Sequence, residues 1–472
     1  MAPFLGVRGS KLHLAIWMEA CFGVMIFGYN QSAAGEVLSD SEFNLQFPRM
    51  VTGALSSHYT PCLEFSEPWD AHYLEMSWAV GKQYLLPVWC RLPGPLSNVH
   101  PSLLPNSSLG SGVSKAESRG EHVPAFRIFC GSGIALALWV AFGMSYTQPS
   151  SVSWRFPLAF TIFLSFLVCI SIFSLPGSPR WLCKMDRWEE GREILALLYD
   201  EDQNSETVNK EIEDIRISIE RVSKGKLGAL FKMGHQRTFH HVVIAAVAQI
   251  FLQMTGVNSI TYYAPTIYQQ QLHFASSESG LLAASSQLVL IIGAVCCAWT
   301  VDRFGRRKLM MFSASSMAIC FAFIAGLISQ ENNPAALKGA VFFLYLYFFV
   351  YVLGFLGIPE IAPTHLRAAT CGLSPAISWL FNFLVAEVTP VAFDDIGWKY
   401  FIVYCCLNAS FVPVIYFFFP ETAKRSLEEI GEIFEASQNI FDTVSVAQNL
   451  PKRHLSEFVR DEKGPKAAHF EA

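Results

Sequence analysis

The sequence predicts an all-α protein, a polytopic bundle of transmembrane helices, from its composition and from two recurring patterns. Of 472 residues, 52% are hydrophobic and only 15% charged, with 39 Phe, far more apolar material than a water-soluble core of this length needs. Apolar stretches of about 20 residues recur along the chain, and at ~1.5 Å rise per residue each is long enough to cross a ~30 Å hydrocarbon layer as a helix. Between two of them, residues 302–308 read DRFGRRK, a short connection whose Arg303, Arg306, Arg307 and Lys308 mark it as cytoplasmic by the positive-inside bias.

In chain order, nine spans are expected: residues 12–35, 124–146, 157–175, 242–263, 280–301, 309–328, 340–361, 369–393 and 401–419. Arg8 and Lys11 set a cytoplasmic start for the first, and Lys115 and Arg119 a cytoplasmic start for the second. Residues 51–113 carry Pro68, Pro93, Pro95, Pro101 and Pro105 and no apolar run of membrane length, so this segment reads as an aberrant, non-membrane connection. On that topology the acceptor triplet Asn106-Ser107-Ser108 is cytoplasmic and unglycosylated. Four parts follow: an incomplete N-terminal half over 1–183, a cytoplasmic helical linker over 184–238, a six-helix C-terminal half over 239–419, and a cytoplasmic tail over 420–472. In the linker, Ile212, Ile215, Ile219 and Val222 recur at helical spacing. The tail offers Leu427, Ile430 and Phe434 as one short amphipathic helix before a disordered end.

A net charge of −5 gives no reason to expect nucleic acid. The 12 Cys lie mostly inside apolar runs, where they serve as small packing residues rather than a disulfide framework. His240 and His241 are adjacent, not at metal-ligand spacing. No enzyme, cofactor or metal is indicated. Gln249, Gln253 and Asn258 lie within a broad helical stripe of one span; their amides can exchange hydrogen bonds with a polyhydroxylated solute or equally with neighbouring helices.

Several motifs stand in a telling order: FGYNQ (27–31), WRFPLAF (154–160), PGSPRWL (176–182), QMTGVNSITYYAPTIY (253–268), DRFGRR (302–307), EIAPTHLRA (360–368) and PETAKRSLEEI (420–430). Together they resemble the sugar porter branch of the major facilitator superfamily, in particular its fungal members, over about residues 12–47 and 114–435. The resemblance implies a major facilitator fold of two six-helix halves, a central solute site and alternating access, in a multi-pass protein of the plasma membrane. It implies solute contacts at Gln253, Asn258 and Asn382, with Gln249 one turn away, and aromatic walls at Tyr262, Tyr351 and Trp379. It also implies a cytoplasmic charge network of Asp302, Arg303, Arg306, Arg307, Glu360, Arg367, Arg119, Arg180 and Glu421.

Departures from the family pattern matter as much. Spans two to four are missing, and Gly112 and Gly177 stand where the family has Glu. Proton-coupled members carry Asp at the position of Asn30; an amide cannot take up and release a proton, which favours facilitated diffusion over proton symport. The partners implied are a small-molecule sugar, a hexose or related polyol, and the lipid bilayer; the sequence does not give an oligomeric state. Two readings remain open: a sugar carrier, or a degenerate, non-transporting relative or mispredicted gene product. With three helices gone from one half, the expectation is no measurable hexose uptake by this chain alone.

Overall fold

A computed structural model describes residues 8–39, 43, 119–172, 175–223, 237–330, 333–355, 367–422, 427–437 and 442–449. The expectations placed on residues 51–113, on the Asn106 triplet, on Gly112, on Glu360 and on the chain beyond 449 lie outside these, as do the side chains of Arg119, Val222, Asp302 and Arg367. The described residues form helices and the turns between them, with no strand among them, and eight stretches are long and apolar enough to cross a membrane. The last of these, Ala376–Phe418, holds two helices, so nine membrane helices stand among the described residues.

The N-terminal part contributes α1 (Ser10–Ser39), α2 (Arg119–Ser145) and α3 (Val152–Ile172). Helices α1 and α2 run parallel and nearly in backbone contact: a Cβ added to Gly28 would lie 2.1 Å from the Cys130 carbonyl oxygen, and one added to Gly133 would lie 1.9 Å from that of Met25. Only residues without a side chain permit so close an approach. Farther along the pair, Tyr29, Ala33 and Ala137 continue the seam, and the Tyr29 hydroxyl donates to the Pro157 carbonyl of α3 at 2.9 Å. The parallel course puts both helix starts on one side, as their flanking basic residues require.

The linker folds as α4 (Pro179–Lys184), α5 (Trp188–Tyr199) and α6 (Glu206–Ser223) around Cys183, Leu195, Val208 and Ile215, with Ile212 and Ile219 packed against them as their spacing predicts. Leu12 at the foot of α1 packs with Leu182, Ile194 and Leu198, so the linker is seated beneath the first membrane helix.

The span expected at 242–263 is broken. Helix α7 (Thr238–Met254) ends at Thr255, and α8 (Val257–Tyr262) restarts after Gly256, whose φ of +95° is left-handed. A Cβ at Gly256 would meet Phe321 at 2.9 Å and Tyr404 at 3.0 Å, so both the backbone angle and the packing demand glycine. The break frees a main-chain acceptor in an apolar layer, and two side chains from elsewhere take it up: the Tyr347 hydroxyl donates to the Thr255 carbonyl at 3.2 Å and Asn408 Nδ2 at 3.1 Å.

The remaining membrane helices are α9 (Ser276–Phe304), α10 (Arg306–Ile328), α11 (Pro334–Phe355), α12 (Arg367–Ile396) and α13 (Tyr400–Phe418). Their core is aromatic. Phe321 of α10 lies 4.8 Å from the Tyr347 ring and 5.4 Å from that of Tyr404, and Phe251 stacks on Phe411 at 4.1 Å. The two parts of the molecule meet where α2 packs on α9: Ile134 and Leu138 contact Ala284, and Gly131 faces Leu290.

In the tail, α14 (Leu427–Ala436) buries Phe434 completely against the rings of His240 and His241, at centroid distances of 5.2 and 3.7 Å. These histidines serve as a seat for the tail. The chain beyond was expected to be structureless, yet α15 (Thr443–Asn449) forms, because Thr443 and Ala447 find burial there against α13 and α14.

Candidate functional site

A chain of polar side chains crosses the middle of the bundle from α1 to α12. Gln253, at the end of α7, donates through Nε2 to Ser378 Oγ of α12 at 2.5 Å. Its Oε1 accepts from Asn258 of α8 and, at 3.5 Å, from Asn382 Nδ2 of α12. Asn382 Nδ2 also donates to the Tyr262 hydroxyl at 3.0 Å, and that hydroxyl accepts from Gln31 Nε2 of α1 at 3.2 Å. Trp379 closes one side, with its ring edge-on to Phe27 of α1 at 6.0 Å.

The local fold explains the convergence. In an unbroken helix Gln253 and Asn258, five residues apart, point well away from each other. The interruption at Thr255–Gly256 resets the phase, so the two amides meet directly. The expectation of a continuous stripe through Gln249, Gln253 and Asn258 is therefore corrected: the pair is made by the break, and Gln249, a turn below it, is left in the apolar interior with its Oε1 buried and unpartnered. Tyr351 also stands apart, stacked between Tyr347 and Phe355 at 6.3 Å from each in the core of the C-terminal helices. Asn30 is half-buried, one position before the Gln31 that reaches the cluster. Gln31 and Ser378 are the members the sequence reading passed over. Phe27 and Gln31 are four apart and share a face of α1, which was the available signal for Gln31; a single Ser in a membrane helix offers none.

At the end of the bundle that the basic loop marks, Gly305 alone separates α9 from α10, with φ +87°. That turn presents the first N–H groups of α10 outward, and the Glu421 carboxylate binds them: Oε1 accepts from Arg306 N at 3.0 Å and Oε2 from Arg307 N at 3.3 Å. A Cβ at Gly305 would lie 2.6 Å from Glu421 Oε2, so the glycine also makes room for the acid. The Arg307 guanidinium donates to the Tyr416 carbonyl and lies 5.2 Å over the Tyr416 ring, while Arg303 lies 5.7 Å over Trp299. Arg180 is exposed at the start of α4. The acid thus engages backbone donors that no charge-pairing argument from sequence brings out.

Glu421→Gln keeps the shape and removes the charge from this cap. We expect a loss of about 1 kcal/mol from charge-assisted bonds at a helix start, read as a fall of roughly 2–4 °C in the melting midpoint of the purified protein. An unchanged midpoint would show the contact to be without weight.

Comparison with known proteins agrees with this architecture. The family described as "Sugar (and other) transporter" matches residues 107–434, well over half of the chain. This chain belongs to that family. It is a sugar porter of the major facilitator superfamily and a multi-pass membrane protein. Sugar transporter STL1 of Saccharomyces cerevisiae is 30% identical over 499 residues, covering 96% of this chain and 86% of that protein. Major facilitator superfamily transporter mfsA of Aspergillus fumigatus is 28% identical over 513 residues, covering 97% and 93%. Among solved structures, the proton:xylose symporter XylE of E. coli superposes with a TM-score of 0.62 at 19% identity, over 90% of this sugar porter and 100% of that chain, which shows a common fold.

Proposed function

We propose that this porter carries a sugar or related polyol across the plasma membrane by alternating access, through facilitated diffusion. The observation that carries the reading is the amide and hydroxyl cluster of Gln253, Asn258, Asn382, Tyr262 and Gln31, which joins α1 of the N-terminal part to α7, α8 and α12. Amides and phenols both donate and accept, as sugar hydroxyls do, and a solute can replace their mutual bonds one for one without leaving a buried polar group unpaired. Trp379 and Phe27 supply flat apolar surface for a sugar ring. Gln249 and Tyr351, lying away from the cluster, act on it through packing. The charge contacts around Gly305 and Glu421 act as the cytoplasmic latch. The division into an N-terminal half, linker, six-helix C-terminal half and tail is the organisation under which this operates.

Asn30 supports diffusion over symport, because the family's proton-carrying acid is an amide here. The test is uptake of radiolabelled hexoses, pentoses and polyols by cells that lack their own carriers. The family match over residues 107–434 and the full-length likeness to a sugar transporter weigh against the sequence-based expectation of no hexose uptake; we expect saturable uptake of one of these classes, unaffected by a protonophore. Collapse of uptake on adding the protonophore would overturn facilitated diffusion; absence of all uptake, with the protein present in the membrane, would return the non-transporting alternative.

A further inference from the structure

Within the first membrane helix stands an acid that the sugar site does not use. Glu19 of α1 is 9% exposed, and its Oε1 is buried with no hydrogen-bond partner. Ser171, near the end of α3, lies beside the carboxyl group, its own hydroxyl donating to the Val168 carbonyl at 2.9 Å and to that of Leu167 at 3.0 Å. The cluster around it is apolar: Ala20, Cys21 and Val24 on α1, Val168 and Leu164 on α3, and Phe129 and Cys130 on α2, with Trp17 packed against the Phe129 ring at 5.9 Å. The titratable neighbours there are thiols, which are neutral at ordinary pH. From the linker, Asp200 of α5 lies against Gly9, Lys11 is at the foot of α1, and half-buried His13 stands between it and Glu19; by helical rise these lie about 9–15 Å from Glu19 along the axis. From α8, the facing groups are Tyr262 with its partner Gln31, about 18 Å farther in the other direction.

A carboxylate desolvated to this degree without a counter-charge is far costlier than the acid. The unpartnered oxygen therefore describes a carboxyl group that holds a proton. We infer that Glu19 is a proton-binding site in the first membrane helix, through which pH sets how firmly α1 is seated against α2 and α3. When the seam is closed the proton is retained. When the helices part and water reaches the group, the proton leaves and the carboxylate favours the parted state; the balance between the two states then follows pH. The distance from Gln31 keeps this proton out of the solute site, so the inference stands whether or not sugar is carried. Sodium is a poor occupant, since one carboxyl and one hydroxyl fall short of the ligand number a hard cation needs.

Two measurements on the purified full-length chain test it. The first is the melting midpoint between pH 5 and pH 9. We expect the wild type to lose about 4 °C or more as pH rises, and Glu19→Gln, which mimics the protonated acid, to stay level near the wild-type value at low pH; Glu19→Met should be level as well. Parallel curves for wild type and variants would overturn the inference. The second needs only wild type: a hydrophobic carbodiimide adds to protonated carboxyl groups in apolar surroundings, and mass spectrometry should find the adduct on the peptide containing Glu19, forming faster at lower pH. No adduct on that peptide at any pH would sink the proposal even if the variants failed to fold. Sugar uptake plays no part in either readout, so a failed transport assay leaves both outcomes interpretable.

Discussion

Gly133→Val should leave almost no folded protein. The added Cβ alone would sit 1.9 Å from the Met25 carbonyl oxygen and 2.9 Å from Tyr29 N, both backbone atoms that no rotamer change can move aside. Relief requires α1 and α2 to separate, which opens the seam of Tyr29, Ala33 and Ala137 and strains the Tyr29 bond to Pro157. The cost is on the order of 4 kcal/mol or more, comparable to the whole stability margin of many proteins. Gly28→Val should behave alike, with its Cβ 2.1 Å from the Cys130 carbonyl oxygen. Gly326→Ala is the control, since nothing lies within 4 Å of its added carbon. The measurement is the fraction of monodisperse protein after detergent extraction. Normal recovery of Gly133→Val alongside Gly326→Ala would mean that the two helices do not approach as described.

The second large effect should fall on function and spare the fold. Gln253→Ala deletes the side chain that bonds to Ser378, Asn258 and Asn382 together. Three polar partners lose a bond, and a solute loses a contact made by an amide that both donates and accepts. Removal of one such group at a polar site costs about 1.5–3 kcal/mol, a fall of roughly 10–100-fold in affinity for the transported sugar. Asn382→Ala should act similarly; Gln249→Ala, one turn away with no bond into the cluster, should change affinity less than about threefold. The check is competition by the transported sugar in uptake assays, with surface expression measured for each variant. Equal effects at Gln249 and Gln253 would show that burial in the helix, and not membership of the cluster, decides the outcome.

How much of this was legible in the sequence depends on the interaction involved. The nine membrane spans were, because each is a property of one contiguous run; where they are described their ends shifted by up to six residues, and one span is broken within. Gln253, Asn258, Asn382, Tyr262 and Trp379 were legible as candidates through the motifs that hold them; the structure joins the first four by hydrogen bonds and sets the Trp379 ring against Phe27 of α1. Their arrangement was not. A break set by one left-handed glycine leaves no trace in hydropathy, so the helical period gave Gln249 the same standing as Gln253. Gln31 was not legible, since nothing within FGYNQ distinguishes its amide from that of Asn30 beside it. Glu421 was legible as a member of a charge network but not as a cap, since its partners are backbone N–H groups, which every residue but proline carries. The seat of the tail on His240 and His241 joins residues nearly 200 positions apart through ring contact alone, and no local pattern encodes it.

The interruption after Met254 also bears on how such a carrier can diversify. An unbroken membrane helix transmits any change of twist or length along its whole ladder, so a substitution near one end is felt at the other. Here the freed carbonyl of Thr255 is held by Tyr347 and Asn408, which belong to two other helices, and the joint is therefore pinned from outside the segment it divides. Residues of α8 can be exchanged, and Asn258 and Tyr262 re-aimed with them, while the register of α7 against its neighbours stays as it was. Selectivity for the solute and integrity of the bundle are thereby written on separate stretches of one chain, and the former can drift without being paid for by the latter.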